Sequence, residues 1–249
     1  MNQKLKDKIK ELQKTSPLIN SLVMRMRFGK FFNSVKKDIH GKNNSISYKH
    51  AILSSVKINI YGNNNQIEIA QGAVLTNVVF NIYGNNHKVI IGQNCHFNKG
   101  SNIRIEDSYC SLSIGEYSSF EDVHFALTEP HSSIAIGKDC MFAQDIDIRT
   151  GDSHSIISKQ SDERINHAEN VSIGDQVWVA SRCSILKGST ISSQSVVATG
   201  AIVTKKYYEK GILIGGIPAK KIKEGIYWTR NRIHKEFSSI SNAPSKSMA

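Results

Sequence analysis

Large aliphatic side chains recur at six-residue intervals through the second half of this chain. Ile173, Val179, Ile185, Ile191, Val197 and Val203 follow one another at that spacing. Four residues after each of the first five stand Val177, Cys183, Ser189, Ser195 and Ala201, all small. Six is a multiple of the two-residue period of a strand, so these positions share one face of an extended chain; a helix would scatter them. The pattern predicts short rungs, each with one large and one small residue pointing inward. Earlier triplets keep the same count: Ile91, Phe97, Ile103; Ile114, Phe120, Ala126; Ile136, Phe142, Ile148. Three rungs make one turn of a three-sided coil. A lone rung cannot bury its apolar side, but stacked coils bury a continuous column.

Between triplets the chain adds residues. From Ile103 to Ile114 it gains five over the basic six, from Ala126 to Ile136 four, and from Ile148 to Ile173 nineteen. All three gains follow the third rung of a triplet, so they stack at one corner of the prism. The longest, residues 149–170, opens with RTGDSHSI, a polar stretch among isoleucines and valines. A long ordered loop on a rigid scaffold is where function concentrates. The hexamer NIYGNN at Asn59 returns at Asn81, 22 residues later. Its asparagines either stabilise turns through their amides, the favoured reading, or line a glycan-binding face.

The flanks differ. Residues 1–45 read as a basic helical arm: Leu5, Ile9 and Leu12 share a stripe, and Pro17 opens a second helix with Leu18, Leu22 and Met26. The arm is a cap or oligomer contact in preference to a membrane anchor. The β-coil is expected over 46–206, a final rung and helix over 207–237, and a flexible tail over 238–249. Lysine and arginine number 32 against 21 acidic residues, a net charge of +11. No helix-turn-helix or interleaved aromatic–basic motif accompanies that excess, which argues against nucleic acid. No apolar run approaches the ~20 residues of a membrane span, and the charged N-terminus lacks the apolar core of a secretion signal, so a cytoplasmic protein is expected. Cys95, Cys140 and Cys183 occupy the small-residue slot and read as core filler; Cys110 has no slot, and no pair has metal-type spacing.

The hexapeptide repeat, the corner loop, VWVASRCSILKGSTI and the closing GGIPAKKI together resemble the left-handed parallel β-helix acyltransferases, over residues 46 to 222. DSHSI followed by IGDQVWV is most similar to the capsular polysaccharide and polysialic acid O-acetyltransferases. The resemblance implies a left-handed coil, a homotrimer, and acetyl-CoA lying between neighbouring prisms. It implies a histidine base on the loop and a tryptophan 24 residues later, here His154 and Trp178.

Such a reaction needs little from the protein. Acetyl-CoA is already activated, and a sugar hydroxyl must lose its proton as it attacks; an imidazole of ordinary pKa suits that task. Direct transfer requires no metal. His154 is the candidate base and His167 the reserve. Asp152 either orients the imidazole or closes the turn at Gly151. Trp178, next to inward Val179, points outward to pack the pantetheine arm, to donate its indole N–H to the oxyanion, or to contact a neighbouring subunit. Ala180, Gly200 and Ala201 leave room for the cofactor. Lys205 matches the lysine that follows the last valine in that family, and Lys220 and Lys221, after Pro218, reach its phosphates or are merely solvated. Arg149 and Arg164 flank the loop and bind an acidic sugar or solubilise it. The acceptor is expected to be a surface polysaccharide, acidic in preference to neutral; a small sugar or nucleotide-sugar acceptor, or a non-catalytic glycan-binding coil, is the alternative. A zinc carbonic anhydrase on the same scaffold would need three converging histidines, which the spacing does not provide.

Overall fold

The structure, a computed structural model, describes residues 34–233. It is a parallel β-solenoid of eight coils whose strands form three sheets. The first face runs from Val35–His40 to Ile202–Val203, the second from Ser45–Ser47 to Lys206–Tyr207, and the third from Ile52–Ser54 to Leu213–Gly216. Ala219–Lys223 folds back antiparallel on the last strand of the third face.

Every large residue of the 173–203 series is buried, and so is every small partner four positions later. Coils pair at the basic 18-residue interval in this region, with Trp178 opposite Val196 and Ser184 opposite Ile202. Upstream the interval widens: Lys57 faces Val79, 22 residues on. The connections after Ile105, Leu127 and Arg149 all run from the first face to the second, so the insertions do share one corner. One position departs from the count. Ala126 faces outward, and Phe125 and Leu127 are the buried residues. The corner between Phe120 and Val123 is one residue shorter than that between Phe97 and Ser101, and a one-residue slip turns every following side chain to the other face.

The solenoid begins at Val35, eleven residues before the boundary expected at 46. The helices read into residues 2–40 lie, up to residue 33, outside the described residues. From Val35 to His40 the chain is instead a strand paired with Val56–Tyr61. Tertiary contacts override helical propensity here: His40 stacks on Tyr61 at 4.9 Å, and the Tyr61 hydroxyl donates to Asp38. The helix expected within 207–237 is absent from its described part; residues 224–233 form irregular chain with bends. The tail expected at 238–249 lies outside the described residues.

Asparagine and glycine make the corners. Asn43, Asn64 and Asn86 adopt left-handed φ near +60°, a region asparagine tolerates because its short amide bonds locally. The amides also tie coil to coil. Asn65, 1% exposed, donates to the Gly84 carbonyl at 2.9 Å and accepts from the His87 amide at 2.9 Å. Asn59, Asn81 and Asn102 form an outward ladder at 2.9 and 3.1 Å. The asparagines of NIYGNN thus stabilise the turns, as the favoured reading expected, and also tie neighbouring coils together. Gly62 and Gly84 within these hexamers have φ of +153° and +108°, and a Cβ on either would lie 1.8 Å from a carbonyl oxygen of the next coil. No side chain fits there.

The core column includes a ring stack, Phe97 on Phe120 at 4.5 Å and Phe120 on Phe142 at 4.8 Å. All four cysteines are free and buried. Burial pushes the Cys95 thiol up to about 12 and the Cys140 thiol up to about 11, and raises Cys110 and Cys183 as well. A thiol with so little thiolate is a poor nucleophile. Native protein at pH 8 is expected to show none of its four thiols to a disulfide-exchange dye, and all four after denaturation; fast labelling of any one in the native state would contradict this packing.

Candidate functional site

The long loop is tied down chiefly by one residue that the sequence did not single out, Asn166. Its side chain donates to the Asp152 carboxylate at 2.9 Å and to the His154 carbonyl at 2.8 Å, and accepts from the Ile156 amide at 2.7 Å. Lys187, from the same corner one coil on, bonds Asp152 and the Asn166 carbonyl. The hydrogen bond from Lys187, helped by Asn166, holds the Asp152 carboxyl below the ordinary range despite an opposing effect of burial. Asp152 is thus a strut of the loop. Its carboxylate is spent on Lys187 and Asn166 and makes no hydrogen bond to the His154 ring it was expected either to orient or to forgo in favour of closing the turn at Gly151.

Ser153 takes a left-handed φ of +65°, rare for a side chain other than asparagine or glycine, and turns the chain outward at His154. His154 is exposed, and its ring has no hydrogen-bond partner among the described residues. His167 lies across the loop, lining a cleft of about 660 Å³ with Glu129, Glu169 and Lys206 on the second-face side.

Neither loop arginine is free. Arg164 bonds Glu129, Asn166 Oδ1 and the Asn166 carbonyl. Burial pushes the Glu129 carboxyl up, but Arg164 and a backbone amide outweigh it and hold it low. Arg149 bonds Asp147, whose other oxygen meets His124 Nδ1 at 2.9 Å. Burial opposes ionisation of Asp147 too, and the hydrogen bonds from His124 and Arg149 win. The His124–Asp147–Arg149 cluster lies on the outer side of the first face, where strand pairing aligns His124 with Asp147. Its members sit 23 and two residues apart, so only the coil register reveals it.

Trp178 lies elsewhere. It is an outward residue of the third face, opposite the corner that carries the loop, so its own chain cannot bring it to His154. Its indole N–H has no partner among the described residues. Trp228 packs beside it at 6.2 Å between ring centroids and spends its own N–H on the Gln176 carbonyl at 2.6 Å. Arg230 follows, bonding Asp139, Ser119 Oγ and the carbonyls of Tyr117 and Cys140. Residues 225–232 therefore form a strap across the third face. The sequence offered a faint signal, YWTRNR, which the expected helix obscured.

The cofactor candidates separate into groups. Ala180 and Gly200 stack at the corner between the third and first faces, where the Gly200 amide donates to the Ser181 carbonyl. A Cβ on Gly200 would meet nothing within 4 Å, so the groove there is open, and its φ of +73° accounts for the glycine. Ala201 is fully buried and both its backbone groups are bonded, so it belongs to the core and lines no groove. Lys205 sits at the loop corner over the Tyr207 ring. Lys221 is held by Glu209 and Glu224, which raise its pKa; Lys220 is exposed beside it, and Pro218 forms the turn before them. Among the described residues no three His, Cys, Asp or Glu side chains gather as a metal site.

The chain matches the polysialic acid O-acetyltransferase structure OatWY over 82% of its length and 95% of that chain, with 29% identity and a TM-score of 0.73. It matches the polySia-specific acetyltransferase NeuO over 80% and 90% of the two chains, at 29% identity and a TM-score of 0.67. The fold is the left-handed β-helix of the hexapeptide-repeat acyltransferases. In sequence, the chain is 34% identical over 81 residues to the polysialic acid O-acetyltransferase of Neisseria meningitidis, which is 32% of this chain and 38% of that protein. A counterpart from Escherichia coli O1:K1 is 36% identical over 77 residues, 31% of this chain and 25% of that one. The sequence match thus spans well under half the length of either relative. No protein-family model matches the chain. A hexapeptide-repeat acyltransferase fold accounts for the six-residue count and the loaded corner together.

Proposed function

We propose that this protein is an O-acetyltransferase that moves acetyl from acetyl-CoA to a hydroxyl of a capsular or other surface polysaccharide, working as a homotrimer. The observation that carries this reading is the likeness of most of the chain to two polysialic acid O-acetyltransferase structures, joined to an exposed imidazole on the long loop that has no partner among the described residues.

His154 takes the proton of the acceptor hydroxyl as its oxygen bonds to the thioester carbonyl carbon. The carbonyl oxygen gains negative charge, and the unpartnered indole N–H of Trp178 is a donor suited to it. When the C–S bond breaks, the imidazolium returns its proton to the departing thiolate sulfur. Because one chain holds these two groups on opposite sides of the prism, the acting pair is His154 of one subunit and Trp178 of its neighbour. Ala180 and the open corner at Gly200 fit a thin pantetheine arm, and Lys220 fits a phosphate.

Incubating the protein with acetyl-CoA and a set of sialylated, uronic-acid and neutral glycans, scored by mass, tests the reading. Acetylated product is expected with an acidic polymer. Product only with a neutral or monomeric sugar would redirect the acceptor, and no product with any glycan would overturn the function.

A further inference from the structure

A cavity of about 480 Å³ lies on the outer side of the third face, lined by His96, Asn98, Ser119, Met141, Trp178 and Arg230 among others. We propose that it receives one sugar ring of the acceptor glycan, with the strap residue Arg230 as its wall. This rests on the acetyltransferase reading and extends it.

Position argues first. The cavity spans the strands from His96–Phe97 to Trp178–Val179, on the N-terminal side of the indole. Gly200 and Lys220 lie on the C-terminal side, and Ala180 follows the indole's own strand. A donor laid along that side presents its acetyl end at Trp178, and the space beyond the indole is left for the acceptor. Chemistry argues second. Met141, Ala143 and the Trp178 ring make an apolar floor, while Asn98, Ser119, Glu121 and His96 make a polar rim. A sugar ring carries an apolar face and a rim of hydroxyls, and sites of this size with few convergent polar groups are typical of small-ligand recognition. Burial, with the nearby Arg230 charge, lowers the His96 pKa, so its ring is neutral near pH 7 and can both donate and accept.

The wall is built. Arg230 Nε holds Asp139 at 3.1 Å, Nη1 holds Ser119 Oγ at 2.8 Å, and Nη2 holds the Cys140 carbonyl at 2.9 Å and the Tyr117 carbonyl at 3.3 Å. An Nη1 N–H remains without a partner among the described residues. The guanidinium also stacks over Trp228 at 5.7 Å, so the strap braces Trp178 from one side while it encloses the cavity from the other.

Trp178 and Trp228 are the only tryptophans in the chain, so indole fluorescence reports on this place. A sialic acid oligomer titrated into wild-type protein, and into Trp228→Phe, is expected to change the emission of Trp178. Met141→Tyr, which fills the floor, is expected to weaken that binding and raise the oligomer KM by ~tenfold or more, with KM for acetyl-CoA within about twofold. Asn98→Leu, at the exposed rim where folding is not at stake, is expected to move the same constant in the same direction. A pair of variants that bind and acetylate the oligomer as wild type does would overturn the cavity and leave the acetyltransferase reading intact. A wild-type protein that acetylates no glycan would overturn both.

Discussion

Replacing His154 with alanine is expected to lower kcat by ~10²–10⁴-fold, the usual contribution of a positioned general base, with little change in KM for acetyl-CoA. The imidazole is exposed and unpartnered among the described residues, so truncating it removes no packing and breaks no hydrogen bond. Stability should stay within about 0.5 kcal/mol of wild type, as for surface substitutions in general, and any loss of rate is then chemical. Three other histidines make the experiment discriminating. His167 shares the loop, His96 lines the cavity beside Trp178, and His124 is held by Asp147 in the manner of an oriented base. Each alanine variant of these three should cost at least tenfold less in kcat than that of His154. Should His124→Ala match the predicted loss while His154→Ala stays active, His124, held by Asp147 on the first face, would be the base, and the loop would be only a scaffold element.

How much of this was legible in sequence follows from what repeats and what does not. The inward column repeats at six, so Ile173 to Val203 and their small partners could be placed residue by residue. The loaded corner followed from where the count gained residues. Ala126 was misplaced because a corner lost one residue, and a count of sixes has no means of detecting a deletion. The loop's histidine was visible as a polar interruption, but its supports were not. Lys187 and Glu129 reach Asp152 and Arg164 across coils, and only the stacking register brings them within hydrogen-bonding distance; Asn166 reaches Asp152 and His154 within the loop, where no period marks the pairing. The strap is the extreme case. Arg230 meets Ser119 and Tyr117 more than 110 residues away in sequence, with no periodicity to announce it. The strand at Val35–His40 was missed for another reason: the helical stripe was read from residues upstream of it, and six residues show too little of a period to mark the pairing with Val56–Tyr61 that makes them extended.

The placement of His154 and Trp178 on opposite sides of one prism leads to the second large effect. Two inactive variants, His154→Ala and Trp178→Ala, are expected to regain activity when refolded together or co-expressed. In the proposed cyclic trimer each interface would be heterologous, so every site would draw its histidine from one subunit and its tryptophan from the next. A site is intact only where the histidine-bearing variant precedes the tryptophan-bearing one. With equal amounts and random assembly, each of those two conditions is met half the time, so about one quarter of sites should work. Each variant alone has none. Were both groups supplied by the same chain, every chain in the mixture would still lack one of them, and mixing would restore nothing. Activity near zero in verified mixed trimers would therefore place base and indole in one subunit, against the geometry of the corner and the third face. Recovery near a quarter would tie the catalytic unit to the subunit boundary, because no rearrangement within a single coil yields that fraction.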